Sequence, residues 1–358
     1  MNKNFYCLGL MSGTSMDGID GSIIYSDGVD NFEVIENFYY KYENNFNNKL
    51  SDLKNKIISD KDLKYYEKDI NELDREITVL HAEFANSILK NYKNKVDLVG
   101  FHGQTIYHNS EEKLTRQLGD GKLLSQLLKK KIVYNFREND IKNNGNGAPL
   151  APIYHSAIAK KIKKSNFIFL NIGGISNETF IDKYYKVSAK DLGPGNCLSD
   201  LWIRQKTKNR YDENGQIARS GKVNKILLNQ SLDIFFNNKI NDKRSYDIND
   251  FDISTFRGLT LEDGAATIIE YTVEIITNKI SSKNIICCGG GRKNKYFIDR
   301  LENKINKKIL NIDEYKFDGD FIESQAFAYI AIRSYLNLPI SFPATTGCRK
   351  ESAGGVII

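Results

Sequence analysis

Cysteine is scarce in this sequence, and its five copies do not form a metal-binding or redox motif. No two cysteines have the CxxC spacing, and the count is odd. This pattern disfavours a zinc site and a disulfide framework, and it favours a reducing cytoplasm. The sequence also lacks a run of about 18 apolar residues and a secretory leader pattern at its start. We therefore expect a cytoplasmic protein that does not cross a membrane.

Charge of one sign is not concentrated anywhere in the chain. The 51 basic and 45 acidic side chains leave a net charge of +6, spread over 358 residues. This small excess of positive charge is compatible with binding an anionic small molecule. It is too diffuse to indicate nucleic-acid binding. The hydrophobic fraction of 41% is enough for sizeable cores. The length suggests about two domains.

Two common nucleotide-binding motifs are missing. Neither the P-loop pattern GxxxxGK[ST] nor the dinucleotide fingerprint GxGxxG occurs, and the latter absence argues against a dehydrogenase. The stretch "GLMSGTSMDGID", residues 9–20, offers phosphate chemistry of another kind. Gly13 and Gly18 allow successive N–H groups to converge on an anion, and Asp17 and Asp20 can hold magnesium. An ordinary hairpin turn with capping serine and aspartate is the alternative.

Two later stretches also place glycines directly after a strand. "NIGGISNET" contains Gly173, Gly174 and Asn177, and with the first loop it could grip one triphosphate from both sides. "CCGGGRKN" places Gly289–Gly291 after an apolar strand, where a flat ring or a phosphate can lie against bare backbone. A tight strand-to-helix turn explains the three glycines equally well.

The order of apolar and polar segments predicts an α/β protein with two related halves. The opening pattern, strand then glycine turn then strand, recurs in "NFIFLNIGGISNETFI". The polar, glycine-rich segment 137–152 ends in two prolines, and we expect the chain to pass between domains there. We accordingly place an N-terminal domain at 1–140, joined by a C-terminal tail of about 341–358, and a C-terminal domain at 141–340.

Two carboxylates stand where a catalytic group is plausible. Asp191 ends a strand in "DLGPGN", and a carboxylate fixed there can act as a general base if it faces a cleft. Glu323 stands at the start of a late helix, "ESQAFAYIAIRSYL". The alternatives are an aspartate that only stabilises its turn and a first-turn glutamate that complements the helix dipole.

Polar groups suited to a sugar follow two further strands. "GFHGQT" brings His102, Gln104 and Thr105 together as a hydrogen-bonding set, although a single histidine is more often structural. "YNFREND" offers Arg137, whose guanidinium can bind a substrate carboxylate through a two-pronged contact. We therefore expect these side chains to contact the substrate.

Taken in order, seven stretches resemble the anhydro-N-acetylmuramic acid kinases: "GLMSGTSMDGID", "GFHGQTIYH", "GNGAPLAPIYH", "NIGGISNETF", "DLGPGNCLSD", "GGGRKN" and "ESQAFAYIA". The resemblance runs from about residue 7 to the end. The combination is specific, although each piece alone is not. Four positions depart from the usual family pattern without removing a carboxylate: Asn144, Asn146, Leu192 and Arg292.

This family is similar to the sugar kinases of the actin and hexokinase class. The resemblance implies two RNase-H-like domains with an inter-domain cleft that holds ATP and Mg2+. It also implies an ATP-binding set on three loops: Gly13, Thr14, Ser15, Met16, Asp17, Gly18, Ile19, Asp20, Gly173, Gly174, Asn177, Gly289, Gly290 and Gly291. Asp17 is the expected magnesium ligand.

The resemblance further implies how the two carboxylates work. Asp191 matches the family's catalytic base, and Glu323 matches a glutamate that helps to place the sugar and the water. The expected substrate-binding set is Ser12, His102, Gln104, Thr105 and Arg137. A homodimer is implied by the family alone.

The implied reaction acts on a sugar whose O6 is bonded to its own C1, 1,6-anhydro-N-acetylmuramic acid. Water opens that ring and ATP phosphorylates O6, which gives N-acetylmuramic acid 6-phosphate and ADP in cell-wall recycling. The first alternative is an actin-fold kinase of another free sugar or amino sugar. The second is a non-catalytic sugar sensor. Such proteins usually append a helix-turn-helix, for which we expect no room before a strand that begins by residue 5.

Overall fold

The chain divides into two compact units, one of which is inserted into the other. The computed structural model describes residues 3–92, 95–237 and 246–358. The first unit comprises Met1–Lys161 and Phe321–Ile358, and the second unit comprises Ile162–Asp320. The first unit is therefore discontinuous in sequence.

Strands and helices alternate along both units. The strands of the described residues are β1 (Phe5–Ser12), β2 (Gly18–Ser26), β3 (Phe32–Lys41), β4 (Val96–Asn109), β5 (Leu114–Leu118), β6 (Lys131–Tyr134), β7 (Phe167–Ile172), β8 (Ile175–Ile181), β9 (Val187–Pro194), β10 (Ile285–Cys288), β11 (Leu310–Asn311) and β12 (Val356–Ile357). The α-helices are α1 (Asn44–Lys56), α2 (Asp60–Tyr65), α3 (Glu67–Tyr92), α4 (Gly121–Leu128), α5 (Glu138–Lys142), α6 (Pro152–Lys161), α7 (Cys197–Lys206), α8 (Gln216–Ser220), α9 (Lys225–Asn237), α10 (Leu261–Lys279), α11 (Lys295–Ile305), α12 (Ile322–Tyr335) and α13 (Pro343–Thr346). Short 3₁₀ helices lie at Glu213–Gly215, Ile248–Asp250, Ser254–Phe256, Gly290–Lys293 and Ile312–Tyr315.

The first unit is built on a seven-stranded sheet. Its strand order is β3–β2–β1–β4–β6–β12, and β5 pairs with β4. β1, β2 and β3 form an antiparallel meander, whereas β4 is parallel to β1 and β6 is parallel to β4. β1 is buried along almost its whole length, as expected for a central strand with a continuous apolar run.

The second unit repeats this arrangement with five strands of its own. Their order is β9–β8–β7–β10–β11. β7, β8 and β9 form the antiparallel meander, β10 is parallel to β7, and β11 is parallel to β10. Each unit thus has three antiparallel strands followed by two parallel ones, in the same order. The expected pair of RNase-H-like halves is confirmed.

Helix α12 lies so close to the sheet of the first unit that only glycine fits beneath it. A Cβ atom on Gly9 would stand 2.0 Å from the carbonyl oxygen of Ser324, and one on Gly100 would stand 2.5 Å from that of Phe327. Neither approach is possible for a residue with a side chain. The contact therefore fixes the position of the first turn of α12, which carries Glu323.

The domain boundaries differ from those expected from the sequence. Helix α6 packs on α12, and the buried Tyr154 donates a hydrogen bond of 2.9 Å to the Gln325 side chain. The polar segment 137–152 also lies within the first unit, where the Gly147 N–H donates to the buried Asp140 carboxylate at 2.6 Å. The chain therefore divides after residues 161 and 320, whereas we expected divisions after 140 and 340. The glycine- and proline-rich composition predicts a loop here, but it does not predict the domain boundary. Side-chain contacts place the loop in the first unit.

Each unit has its own apolar core. In the second unit the indole of Trp202 is fully buried against α10, where a Cβ atom on Gly264 would stand 2.0 Å from the ring. The Trp202 indole N–H donates to the carbonyl of Leu261 at 2.8 Å, so its polar atom is satisfied. Among the described residues, no helix combines the length and apolar character needed to cross a membrane.

Candidate active site

In the first unit, the expected binding residues lie where parallel strands end. β1 ends at Ser12, which pairs with Gln104 on β4, and Arg137 follows β6 by three residues. The carboxyl ends of parallel strands meet at one edge of a sheet, and ligands of open α/β sheets bind there. The fold thus brings Ser12, Gln104 and Arg137 to the same edge of the sheet.

The loop between β1 and β2 is shorter than its sequence suggests. Only Gly13–Asp17 forms the turn, which is closed by a hydrogen bond of 3.1 Å from the Met16 N–H to the Gly13 carbonyl. Met16 has a positive φ of 54°, so the backbone bends in a way that lets neighbouring N–H groups point the same way. The Thr14 and Ser15 side chains are exposed.

The turn is held from outside by the strand and helix that follow it. The Asp17 carbonyl accepts hydrogen bonds from the Tyr42 N–H at 2.9 Å and the Tyr39 hydroxyl at 3.2 Å. The Asn47 side chain on α1 donates to the Met16 carbonyl. Because the carbonyls are engaged on this side, the turn has a fixed conformation. Ile19, by contrast, is fully buried in the core, so only its backbone is available to a ligand.

Ser12 and Gln104 form a buried pair. The Ser12 hydroxyl lies 2.8 Å from the Gln104 side-chain oxygen and accepts a bond of 3.1 Å from the Tyr42 hydroxyl. Both side chains are almost inaccessible to solvent. Thr105 is half-buried and accepts from the Gln117 amide at 3.3 Å. These polar groups hold β1 and β4 together, and their predicted contact with the sugar stays a prediction.

His102 and Arg137 form a hydrogen-bonded pair beside them. His102 Nδ1 lies 3.0 Å from the Gly103 carbonyl, which can only accept, so Nδ1 carries the proton. Nε2 then accepts from Arg137 Nε at 3.1 Å and Nη2 at 2.9 Å. Burial, reinforced by the Arg137 charge, lowers the pKa of His102 well below its ordinary value. His102 is therefore a neutral acceptor that orients the guanidinium.

Arg137 is also tied to the loop that follows α5. Its Nη1 donates to the Gly147 carbonyl at 2.7 Å. Burial lowers the pKa of Arg137 to about 10, while the charges of Glu323 and Asp140 oppose the decrease. Arg137 therefore keeps its positive charge at neutral pH, between two carboxylates.

Glu323 reaches solvent from the first turn of α12. Desolvation nevertheless raises the pKa of its carboxyl, and the Arg137 charge opposes that rise. The next residue, Ser324, is fully buried, and its hydroxyl lies 2.7 Å from that of Ser22 on β2. Glu323 thus stands on a helix turn that is fixed by a buried hydrogen bond.

In the second unit, three polar residues form a row across the meander. The register pairs Asn171 on β7 with Asn177 on β8, and Asn177 with Asp191 on β9. Directly opposite residues in an antiparallel pair have side chains within about 5 Å of each other. The predicted base therefore stands next to a residue that we expected to bind ATP.

Three glycine-bearing turns meet beside this row. The N–H of Gly195 donates to the Gly174 carbonyl at 2.9 Å, and that of Asn196 donates to the Gly173 carbonyl at 2.8 Å. A Cβ atom on Gly291 would stand 3.1 Å from the Asn196 side-chain oxygen. The turns after β7, β9 and β10 are therefore in contact. Gly290 lies in open space, with no atom within 4 Å of an added Cβ.

Asp191 itself is nearly buried, with an exposed fraction of 9%. Its Oδ2 accepts a hydrogen bond of 2.8 Å from the backbone N–H of Tyr246. A carboxylate at a strand end that is held by a backbone donor has a defined orientation, which general-base catalysis requires. The geometry suits the role that the sequence suggested.

The arginine that departs from the family pattern braces the third glycine turn. The Arg292 side chain is 3% exposed and bonds to the carboxylates of Asp313 at 3.1 Å and Asp320 at 2.6 Å. Its Nη1 also donates to the Gly289 carbonyl at 3.1 Å. Arg292 therefore ties the turn to the loop before α12, and its charge is neutralised there.

Sequence reasoning missed three residues of this site. Asn171 lies under Gly289, whose added Cβ would stand 2.3 Å from its side-chain oxygen. Asn196 directly precedes α7, but its side chain makes no capping bond and faces Gly291 instead. The polar residue that ends the apolar run of β7 was an available signal for Asn171. The sequence gives no signal for Tyr246, because this residue is 55 positions from Asp191 and contributes only a backbone atom.

A magnesium ligand set is only partly present in the protein. Among the described residues, no group of three or more histidine, cysteine, aspartate or glutamate side chains could hold a metal. Asp17 and Asp20 both act on Tyr42: burial raises the pKa of its hydroxyl, and the charges of the two aspartates raise it further. Magnesium bound with a nucleotide takes one or two carboxylates and completes its shell with phosphate oxygens and water. The donors around the first turn fit that pattern.

Asp200, in the first turn of α7, is a carboxylate that no predicted role uses. Burial raises its pKa to about 7, and the Arg204 charge opposes the rise. The folded protein thus binds a proton here more tightly than the unfolded chain does. This contribution to stability is complete below about pH 4 and is lost as the pH rises through 7.

Asp200→Asn is therefore expected to be more stable than the parent at pH 8, by roughly 1–3 kcal/mol. The advantage should disappear towards pH 4, where the parent carboxyl is neutral. Urea unfolding at both pH values measures the difference. Asp233→Asn on α9 removes an exposed carboxylate and serves as the matched control. Equal stability of Asp200→Asn and its parent at pH 8 contradicts the raised pKa.

Known proteins resemble this chain over its full length. The sequence profile of the anhydro-N-acetylmuramic acid kinase family matches residues 5–358. The anhydro-N-acetylmuramic acid kinase of Pelagibacter ubique is 51% identical over 373 residues, which cover 100% of this chain and 99% of that protein. The protein of the same name from Rhizobium etli is 37% identical over 362 residues, 98% of this chain and 97% of that protein.

Solved structures resemble the chain less closely. Component A of (R)-2-hydroxyglutaryl-CoA dehydratase from Acidaminococcus fermentans matches with a TM-score of 0.44 and 12% sequence identity. The match covers 93% of this chain and 99% of that one. At this level the likeness carries no information about activity, so the sequence relatives alone identify the family.

Proposed function

This chain belongs to the anhydro-N-acetylmuramic acid kinase family, and from that premise we propose that it opens 1,6-anhydro-N-acetylmuramic acid with water and phosphorylates O6. The products are N-acetylmuramic acid 6-phosphate and ADP. The proposal includes ATP as phosphoryl donor and Mg2+ as its metal. A homodimer, which the family resemblance implies, and a cytoplasmic location, which the cysteine pattern favours, complete it.

The placement of Asp191 is the observation that carries the proposal. The carboxylate ends β9, stands in register with Asn177 and is oriented by the Tyr246 N–H. The Gly173–Gly174 turn, which we propose to hold a phosphate, contacts Gly195 and Asn196, which directly follow β9. A base next to phosphate-binding turns is what a reaction joining water attack to phosphoryl transfer requires.

We propose that Asp191 takes a proton from the water that attacks C1. The new C1–O bond forms as the C1–O6 bond breaks, and the electron pair of that bond goes to O6. Ordinary glycosidases need a second carboxyl group to protonate the departing oxygen. Here O6 attacks the γ-phosphorus of ATP instead, and the bond from that phosphorus to the bridging oxygen breaks to release ADP. One base is then sufficient.

The remaining predicted residues position the reactants. Glu323 and the Arg137 guanidinium lie within each other's electrostatic reach, and we propose that they orient the sugar and the water. The backbone N–H groups of the turns at Gly13–Asp17 and Gly173–Gly174 are proposed to bind the phosphates. Magnesium, held in part by Asp17, would supply positive charge to the γ-phosphate.

Incubation with ATP, Mg2+ and the anhydro sugar in H2(18)O tests the reaction. The C1 hydroxyl of the product should carry one solvent oxygen, and the transferred phosphate should carry none. Mass spectrometry of the quenched product gives both answers. Authentic product incubated in the same water corrects for exchange at C1. Labelled inorganic phosphate without sugar product indicates simple ATP hydrolysis and contradicts the proposal.

Free N-acetylmuramic acid distinguishes this activity from that of an ordinary sugar kinase. It carries a free O6 and needs no ring opening, so an enzyme built for the anhydro sugar gains nothing from Asp191 when acting on it. We expect kcat/KM for the anhydro sugar to exceed that for the free sugar by at least about 100-fold. Similar values for the two sugars would favour the alternative kinase.

A further inference from the structure

Asp191 is held by a residue that is far away in sequence. The hydrogen bond of 2.8 Å from the Tyr246 N–H to Asp191 Oδ2 connects β9 to the segment that follows residue 245. A donor to a carboxylate stabilises its charged form and fixes the direction of its oxygens. The orientation of the proposed base therefore depends on where the Tyr246 backbone lies.

The position of Tyr246 is set by its side chain. The ring is buried, with 6% exposed, and its centroid lies 5.3 Å from that of Phe251 and 6.4 Å from that of Phe235. The Lys279 ammonium, at the end of α10, donates to the Tyr246 hydroxyl at 2.8 Å. It also lies 4.9 Å from the centre of the Tyr246 ring.

Lys279 thus holds the ring at its hydroxyl edge, because the ammonium lies beyond the phenolic oxygen and not over the ring face. A hydrogen bond that involves a charged group contributes about 1.5–3 kcal/mol, and Lys279 is half-buried. The ammonium stands on a 19-residue helix that packs against β9 and is capped by Thr260. It therefore connects a rigid element to the segment that holds Asp191.

We propose that Lys279 is a positioning residue for the catalytic base. It acts through Tyr246: the ammonium fixes the ring, the ring fixes the backbone, and the backbone N–H orients Asp191. The inference rests on the proposed role of Asp191 as the base. It assigns to Lys279 no contact with sugar or nucleotide.

Other charged groups around β9 must be accounted for before a pH effect is interpreted. Besides Lys279, the ionisable side chains on β8, β9, α7, α10 and the Tyr246 segment include Glu178, Lys190, Asp200, Asp247, Asp250, Glu270 and Glu274. Lys190 pairs with Glu178 at 3.5 Å, and Glu270 and Glu274 pair with cations of α11. None of these is changed by a substitution at Lys279 or Tyr246.

Two single variants and their combination test the proposal. Lys279→Met keeps an apolar stem and removes the donor and the charge, whereas Tyr246→Phe removes only the acceptor and keeps the ring. Both are expected to lower kcat, Lys279→Met by about 10-fold, with KM for ATP within about twofold. A looser Asp191 hydrogen bond raises the pKa of the base. The loss of kcat should therefore grow as the pH falls from 8 to 5.5.

The double variant separates positioning from direct electrostatics. If both residues act through one contact, Lys279→Met should cost much less in the Tyr246→Phe background than in the parent. Lys206→Met is the matched control, because Lys206 lies 4.7 Å from the Trp202 ring centre and donates to the Arg257 carbonyl. Circular dichroism and thermal unfolding verify that each variant is folded at the assay pH.

Three outcomes overturn the inference. They are an unchanged kcat in Lys279→Met, a loss of kcat that does not vary with pH, and additive effects in the double variant. A different result contradicts the proposed role of Asp191 as the base, namely that the Asp191→Asn variant remains active. If Asp191→Asn is inactive and Lys279→Met behaves like the parent, only the positioning role is wrong.

Discussion

Asp191→Asn is expected to lower kcat for the anhydro sugar by at least about 10³-fold and to leave the Kd for ATP within about threefold. The substitution removes the only group that we propose takes a proton from the attacking water. Asparagine has the same shape, and its side-chain oxygen can still accept from the Tyr246 N–H. The turns that are proposed to bind phosphate are unchanged. Steady-state kinetics and calorimetric titration with a non-hydrolysable ATP analogue measure the two quantities.

The control for this variant is Asp182→Asn, which makes the same change at the other end of the β8–β9 hairpin. Asp182 accepts from the N–H groups of Tyr184 and Lys186, both at 2.8 Å, so its substitution affects a turn and no proposed reactant. We expect its kcat to stay within about twofold of the parent. A near-normal rate in Asp191→Asn would show that the base is another group.

Gly9→Ala is expected to destabilise the protein by about 3 kcal/mol or more and to remove activity together with stability. The new Cβ would stand 2.0 Å from the Ser324 carbonyl oxygen and 2.6 Å from the Ala328 nitrogen, both of which are backbone atoms. Backbone within a packed helix cannot rotate away as a side chain can, so α12 has to move. Glu323 stands on the first turn of that helix and would move with it.

Chemical denaturation and kcat measured on the remaining folded fraction test this prediction. Gly258→Ala is the control, since nothing lies within 4 Å of its added Cβ and the position is exposed. Its unfolding free energy should change by less than about 0.5 kcal/mol. If Gly9→Ala unfolds at the same denaturant concentration as the parent, the close approach of α12 to β1 is wrong.

The repeated fold was accessible from the sequence because turn chemistry and strand pattern agree. An apolar strand, a glycine turn and a second strand occur at residues 5–26 and again at 167–181, and each set becomes the first hairpin of one sheet. Two sheets with the same strand order follow. Composition does not reveal which unit a helix joins. Helix α12 packs on β1, β2 and β4, and α6 packs on α12 through the hydrogen bond between Tyr154 and Gln325, which links residues 171 positions apart.

The candidate site was accessible in part, for a related reason. Sequence order predicted Asp191 and the glycine turns as site residues, which stays a prediction, and the strand register places Asn177 beside Asp191. Two kinds of information were missing from the residue pattern. One is which polar side chains are used internally, as for Ser12 and Gln104. The other is a backbone donor such as the Tyr246 N–H, because any residue type can supply one.

The split composition of the first unit has a consequence for how the protein is made. Ribosomes release Phe5–Lys161 long before they reach residues 321–358, yet α12 covers the sheet that the early strands form. Until residues 321–358 emerge, the sheet surface around Gly9 and Gly100 is not covered by α12. Apolar residues next to these glycines are then accessible to chaperones or to other nascent chains. The second unit is continuous in sequence, so its core can fold before the first unit is complete. The unit whose strands are made before those of the other is therefore the later of the two to complete its core.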